Sequence, residues 1–274
     1  MIHFYKFDGA GNDFVMIDNR KGDISLDAKQ IERICHRRIG VGADGLILLE
    51  SPKTPDDGDF VMRYYNSDGH TATMCGNGGR CIVAFAHLLG VIGNKTTFRA
   101  DDGMHTAEIV MWNDKERYGL VKLGMKDVEA DGIRPVLDGW LLNTGVPHYV
   151  QRVENIDSID VKTEGSRLRH HPDLGPEGAN VNFICDAPDG SLMVRTYERG
   201  VEDETWSCGT GVTACAIVSG NHNIRTRGGD FKVEFEPTGK RYEKVNLIGP
   251  AACNFDGCVP AFGSYQSGAC RTGR

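Results

Sequence analysis

Long apolar runs are missing from this chain. None reaches the ~18 residues of a membrane helix, so no membrane span is expected. The opening residues, Met1-Ile2-His3-Phe4-Tyr5-Lys6-Phe7-Asp8, hold no basic segment followed by an apolar one. That removes the pattern of a secretory leader and points to the cytoplasm. An excess of basic residues is missing too. Net charge is −7, which argues against a nucleic-acid partner. The cysteines number nine and lack the spacing of a small disulfide scaffold, so they read as thiols in a reducing compartment. Metal-ligand spacing is also absent. Cys253, Cys258 and Cys270 make a poor zinc pattern, and the neighbours His170 and His171 do not share a helix face. One Gly-x-Gly-x-x-Gly occurs, at Gly40, Gly42 and Gly45. It follows a helical pattern and opens a strand-like one, the reverse of a dinucleotide fingerprint. Neither a metal nor another cofactor is expected.

What the chain does have is a short stretch stated twice. The first copy runs Tyr65-Asn66-Ser67-Asp68-Gly69, then Cys75-Gly76-Asn77-Gly78-Gly79-Arg80-Cys81. The second runs Tyr197-Glu198-Arg199-Gly200, then Cys208-Gly209-Thr210-Gly211 and on to Cys215. In each, a strand-like run leads through a polar loop to Cys-Gly-x-Gly and an Ala-containing helical run. Cys75 and Cys208 stand 133 positions apart in 274 residues. Self-similarity at half-length predicts two like domains facing each other. Each offers one cysteine at a helix N-terminus, where unpaired N–H groups and the helix dipole favour an anion. A thiol there is expected to ionise more easily than a free Cys, at a pKa of about 8.5. Two such thiols on opposite faces of one carbon remove a proton from one side and return one from the other, which inverts the centre. Cys81 and Cys215, further along the same apolar runs, read as core. Glu198 and Arg199 are placed to hold an amine and a carboxylate, Arg offering a planar fork. Asn12 either shapes the turn Asp8–Asp13 or offers an amide to a ligand. His148 reads equally as a ligand group or a satisfied polar residue.

Period and turn signals fill in the rest. Strands are expected at 2–7, 14–18, 46–49, 60–65, 181–185, 192–197, 231–235 and 242–248, with short strands through 95–123. A helix with Ile31, Ile34 and Cys35 on one face is expected over 27–38. Mostly apolar helices over 80–90 and 212–219 should each be buried, most simply inside a wrap of strands. No Pro/Ser-rich linker marks a boundary. The domains expected are 1–118 and 119–249, with a strand near 250–262 completing the first. The Gly/Ser/Arg-rich residues 264–274 form a tail expected to be disordered.

Asn66-x-Asp68-Gly69 with Cys75-Gly76-Asn77-Gly78-x-Arg80, then Glu198-Arg199-Gly200 and Cys208-Gly209-Thr210-Gly211, resembles the diaminopimelate epimerase family. The likeness runs from Lys6-Phe7-x-Gly9-x-Gly11-Asn12-Asp13 to about Gly257. It implies an α+β fold of two pseudo-symmetric domains, each a central helix wrapped by antiparallel strands, with the site in the cleft between them. It implies a cofactor-free enzyme interconverting LL- and meso-2,6-diaminoheptanedioate, in lysine and peptidoglycan-precursor synthesis. Cys75 and Cys208 become the acid/base thiols. Gly76, Asn77, Gly209 and Thr210 present backbone N–H groups to the reacting carboxylate. Asn12, Asn66, Asn180 and Arg199 hold the substrate, Arg199 at the distal carboxylate, with Glu198 and His148 near the reacting amine. Three positions depart from the family. Val146 stands where Asn is usual, moving a contact to Thr144 or Asn143. Gly45 stands where many members carry Gln, and His70 replaces Ser or Thr. The partner expected is a small amino acid, with room left for a homodimer. Two rival readings are a proline- or hydroxyproline-type racemase or isomerase, and a cysteine-rich metal or redox module.

Overall fold

The computed structural model describes residues 1–260. The expected tail at 264–274 and Cys270 lie outside the described residues. In the first half, β1 (Ile2–Gly9) and β2 (Asn12–Asp18) form a hairpin. Helix α1 (Ala28–Cys35) leads to β3 (Gly45–Glu50) and β4 (Phe60–Asn66). Helix α2 (Gly76–Leu88) leads to β5 (Lys95–Ala100), β6 (Gly103–Asn113) and β7 (Tyr118–Gly124). Two short strands, β8 (Val128–Glu129) and β9 (Arg134–Val136), carry the chain across. The second half opens on a hairpin of β10 (Gly139–Asn143) and β11 (Pro147–Arg152). Helix α3 (Val161–Arg169) leads to β12 (Asn180–Asp186), β13 (Leu192–Glu198) and β14 (Asp203–Thr205). Helix α4 (Gly209–Ser219) leads to β15 (Asn223–Arg225), β16 (Asp230–Pro237) and the long β17 (Arg241–Val259).

The two halves repeat one pairing plan. Hairpins pair antiparallel, and where a helix intervenes the neighbours are parallel: β2 with β3, β4 with β5, β11 with β12, β13 with β15. The wrap is therefore mixed rather than antiparallel throughout, because a helical crossover returns the chain in the same direction. Strand β17 serves both rings. Its start pairs with β16, and its later part pairs with β7 and then β1, from Asp8↔Ala252 to Ile2↔Val259. This closes the strands of the first half around α2.

Local sequence explains the layers. Strand β3 is apolar on both faces, so it is buried on both. Ile47 and Leu49 pack inward with Phe85 and Val83 of α2, while Leu46 and Leu48 pack outward with Ile31 and Ile34 of α1. The second half does the same, with Val212, Cys215 and Ala216 of α4 inside and Leu168 of α3 outside. Helix α2 begins at Gly76, four residues before the expected start. Its glycine-rich first turn has poor intrinsic propensity, but packing overrides that. A Cβ at Gly79 would press on the side-chain ends of Met74 and Leu123, so a larger residue there requires both to shift.

Candidate active site

The two Cys-Gly-x-Gly loops put their cysteines in the same structural position. Cys75 is the N-cap of α2 and Cys208 the N-cap of α4, both with extended backbone. The helices meet end to end. A Cβ on Gly76 would lie 3.5 Å from the Gly209 Cα, and one on Gly209 would lie 3.4 Å from the Gly76 Cα and 3.0 Å from Leu247. Two sets of free N–H groups thus converge on one point, each with roughly half a positive charge. A single carboxylate there reaches both helix ends, in the manner of an oxyanion hole.

Both sulfurs are free thiols. Cys75 Sγ accepts a hydrogen bond from the Gly78 N–H at 3.2 Å. Cys208 has no such cap bond, and its Sγ lies 3.4 Å from Thr210 Oγ1. The expectation of readily ionised thiols is overturned. Burial pushes the Cys75 thiol up, with the Gly78 N–H opposing it, Glu198 adding to it and Arg80 opposing. Burial and the Glu198 carboxylate push Cys208 up to about 12. Loss of hydration outweighs the helix N-termini when no anion is bound. Burial likewise raises Glu198, with the Thr205 hydroxyl and the Cys208 thiol working against it.

Two groups beneath the thiols escaped the sequence reading. Arg80 is fully buried. Its guanidinium donates to the Gly76 carbonyl (3.0 Å), Asn77 Oδ1 (2.9 Å), the Pro250 carbonyl (3.2 Å) and the Gly9 carbonyl (3.4 Å), and lies 4.9 Å from the Phe231 ring. All four acceptors are neutral, and burial lowers the guanidinium to about 10. The second group supports His148, also fully buried. Asn182 Nδ2 donates to the Tyr149 carbonyl at 3.0 Å, which fixes its amide orientation, and the same nitrogen stands 3.2 Å from His148 Nδ1. Nε2 faces the Asn180 amide nitrogen at 3.4 Å and Thr210 Oγ1 at 2.9 Å, and the shorter amide contact at Nδ1 favours the tautomer in which Nδ1 accepts and Nε2–H donates to Thr210. The Thr210 hydroxyl is left to donate to Cys208. Burial and the Arg199 charge hold His148 neutral, its pKa down to about 3.

The family model described as diaminopimelate epimerase matches residues 4–126 and 140–252. The chain belongs to the diaminopimelate epimerase family. A protein of that name from Flavobacterium psychrophilum is 46% identical over 268 residues, covering 93% of this chain and 99% of its own. One from Chlorobaculum tepidum is 48% identical over 217 residues, covering 77% and 80%. Solved structures extend the likeness at the level of fold. A probable proline racemase from Agrobacterium radiobacter superposes with a TM-score of 0.69 at 15% identity, over 97% of this chain and 95% of that one. A PhzF-family phenazine biosynthesis protein from Bacillus anthracis gives 0.69 at 15%, over 94% and 99%. The fold is thus the α+β architecture shared by diaminopimelate epimerases and these racemase-like proteins, and the chain is an epimerase by family.

Within the diaminopimelate epimerase frame, the other residues singled out in the sequence occupy three positions. Some hold the seam between the halves. Asn77 Nδ2 donates to the Ser207 carbonyl (3.2 Å) and sits 3.4 Å from Asn12 Oδ1, and Asn12 Nδ2 donates to Asp44 at 2.7 Å. Some hold other site residues. Asn180 Oδ1 accepts the Arg199 N–H at 2.7 Å. Beside Val146, Thr144 Oγ1 donates to the Thr210 carbonyl and Asn143 Oδ1 accepts the Gly145 N–H. Others face the opening. Arg199 pairs with the exposed Glu177 at 3.2 Å, and the Asn66 side chain has no hydrogen-bond partner among the described residues. The six-residue Gly40–Gly45 segment follows α1 and opens β3, with no helix after it.

Proposed function

We propose that this chain interconverts the LL and meso forms of 2,6-diaminoheptanedioate by two-thiol acid/base chemistry, without a cofactor. The observation that carries the reading is the end-to-end meeting of two helices, each capped by a cysteine. The reacting carboxylate lies on the N–H groups of Gly76, Asn77, Gly209 and Thr210. The α-carbon then lies between the sulfurs. One thiolate takes the α-proton, negative charge flows into the carboxylate, and the opposite thiol delivers its proton to the other face. Both sulfurs keep one proton between them, and the roles swap with direction.

Before binding, burial keeps both thiols protonated, so one proton leaves to solvent as substrate enters, the substrate ammonium offsetting the thiolate charge. Thr210 O–H, oriented by the neutral His148, donates to Cys208 when it carries charge. Glu198 lies near the reacting ammonium. Arg199 leaves Glu177 for the distal carboxylate, steered by Asn180 on its backbone, and Asn12 and Asn66 complete the substrate contacts. A proline-type substrate has no distal carboxylate and no use for Arg199. The reaction belongs to lysine and peptidoglycan-precursor synthesis in the cytoplasm.

Incubation with LL-diaminopimelate in heavy water tests this. The expected result is deuterium at the α-carbon together with the meso product. Exchange with proline or hydroxyproline but not diaminopimelate would overturn the substrate and keep the chemistry. No exchange with any amino acid would overturn both.

A further inference from the structure

The place left by Gly45 is filled. Strand register sets Gly45 between Phe14 and Asn66 at the cleft end of the sheet, and pairs Tyr64 with Ile47 one step further in. Tyr64 leans back over the glycine. A Cβ built on Gly45 would lie 2.6 Å from the Tyr64 ring, 3.3 Å from its hydroxyl and 2.6 Å from the Tyr65 carbonyl. Phe14 meets the ring edge-on at 5.8 Å, which fixes the tilt. Any side chain at position 45 would compete with the Tyr64 ring for this space, so the polar group that stands here comes from the neighbouring strand.

Tyr64 is 9% exposed, yet its hydroxyl has no hydrogen-bond partner among the described residues. Its oxygen is also not sealed off from solvent. A buried phenol normally finds a partner. This one lies beside Gly45, at the end of β3 that pairs with Asn66. After burial, the charges that most raise its pKa are those of Cys75, Asp44 and Glu198. The phenol is therefore neutral and sits near the Cys75 thiol and the Asp44 and Glu198 carboxyl groups, on the same face of β4 as Asn66. The group such a corner receives is a cation.

We infer that Tyr64 is a substrate-binding residue whose phenolic oxygen accepts a hydrogen bond from the ammonium beside Glu198, in the place where a residue 45 side chain would otherwise reach. The inference rests on the reading of the site given above. Phenylalanine at 64 keeps the ring over Gly45 and removes only the oxygen. That oxygen has no protein partner to lose, so the thermal melt of Tyr64→Phe should match wild type. The ammonium is held alike in ground and transition states, so the loss falls on KM. With diaminopimelate, KM should rise about 10- to 100-fold, the range of one hydrogen bond to a charged group, with kcat within about threefold. An unchanged KM would overturn the inference, and so would a loss confined to kcat. The two failures are separable. Wild type that exchanges no α-proton of diaminopimelate removes the reading of the site. Wild type that exchanges normally, with Tyr64→Phe matching it in KM, removes only the role of Tyr64.

Discussion

The two cysteines hold one position in two copies of one fold and both feel the Glu198 carboxylate, yet only Cys75 also has a guanidinium to oppose it. Cys75 is half-buried, accepts an N–H bond from its own helix and has the Arg80 guanidinium beneath it. Cys208 is buried, lacks that bond, and has the Glu198 carboxylate beside it. Thr210 and His148 stand behind it instead. Duplication supplied the symmetry of backbone and helix ends. The side chains broke it, as the proposed reaction requires: there the carboxylate goes to the helix ends and the ammonium to the Glu198 side. The same device, an N-cap thiol, is supported by a cation in one half and by a neutral relay in the other.

The strongest way to break this comparison is to remove each thiol in turn. Cys75→Ala and Cys208→Ala should each lower epimerisation by about 10³-fold or more, at the level of losing a positioned acid or base. Stereochemical assay by chiral chromatography checks this. If either variant keeps epimerisation within about tenfold of wild type, the thiols are not partners.

Next in size is Arg80. Arg80→Lys keeps the charge and loses the fork that reaches four acceptors around Gly76, Asn77, Gly9 and Pro250. Stability should fall by about 2–4 kcal/mol as buried acceptors lose their donors. Urea denaturation measures it, and a change under 1 kcal/mol, roughly the worth of one hydrogen bond, would contradict the packing described.

The meeting helix ends give a finer contrast. A methyl group on Gly76 makes only ordinary contacts, at 3.5 Å, whereas one on Gly209 presses on Leu247 at 3.0 Å. Gly209→Ala should cost about 1–3 kcal/mol of stability by overpacking, and Gly76→Ala less than 1. Equal losses in thermal denaturation would remove the asymmetry.

The smallest effect is chemical. Since burial raises both thiols, alkylation of the free enzyme by iodoacetamide should be slow at pH 7 and rise about tenfold per pH unit towards pH 9. Peptide mapping should find Cys75 modified before Cys208. A rate flat across that range would mean that a thiolate is already present in the empty site.

Much of this was legible in the sequence because it is local or periodic. The Cys-Gly-x-Gly copies, their half-length spacing and the apolar helices after them need no tertiary knowledge to interpret. Strands such as β3 declare double burial by an unbroken Leu46–Leu49 run. The rest depends on chain segments far apart. Arg80 looks like one polar interruption in an apolar helix, since its acceptors include residues 9 and 250. A charged residue inside an otherwise buried run was the available signal. Asn182 and Tyr64 look like ordinary strand residues until register sets them against His148 and Gly45. The thiol shift was misjudged because helix-end electrostatics can be inferred from sequence, whereas the depth of burial that opposes them cannot.

Two helix N-termini in contact are two like poles pressed together. With the cleft empty, their half-charges repel across the Gly76–Gly209 contact, against restraints that include the Asn77–Ser207 and Ser207–Ala10 hydrogen bonds, the Arg80–Phe231 contact and the β17 ladder. On the proposed reading, a substrate carboxylate between them would meet both poles at once and turn that repulsion into attraction on both sides. By mass action, ligand at a hundred times its Kd would then stabilise the closed seam by about 2.7 kcal/mol.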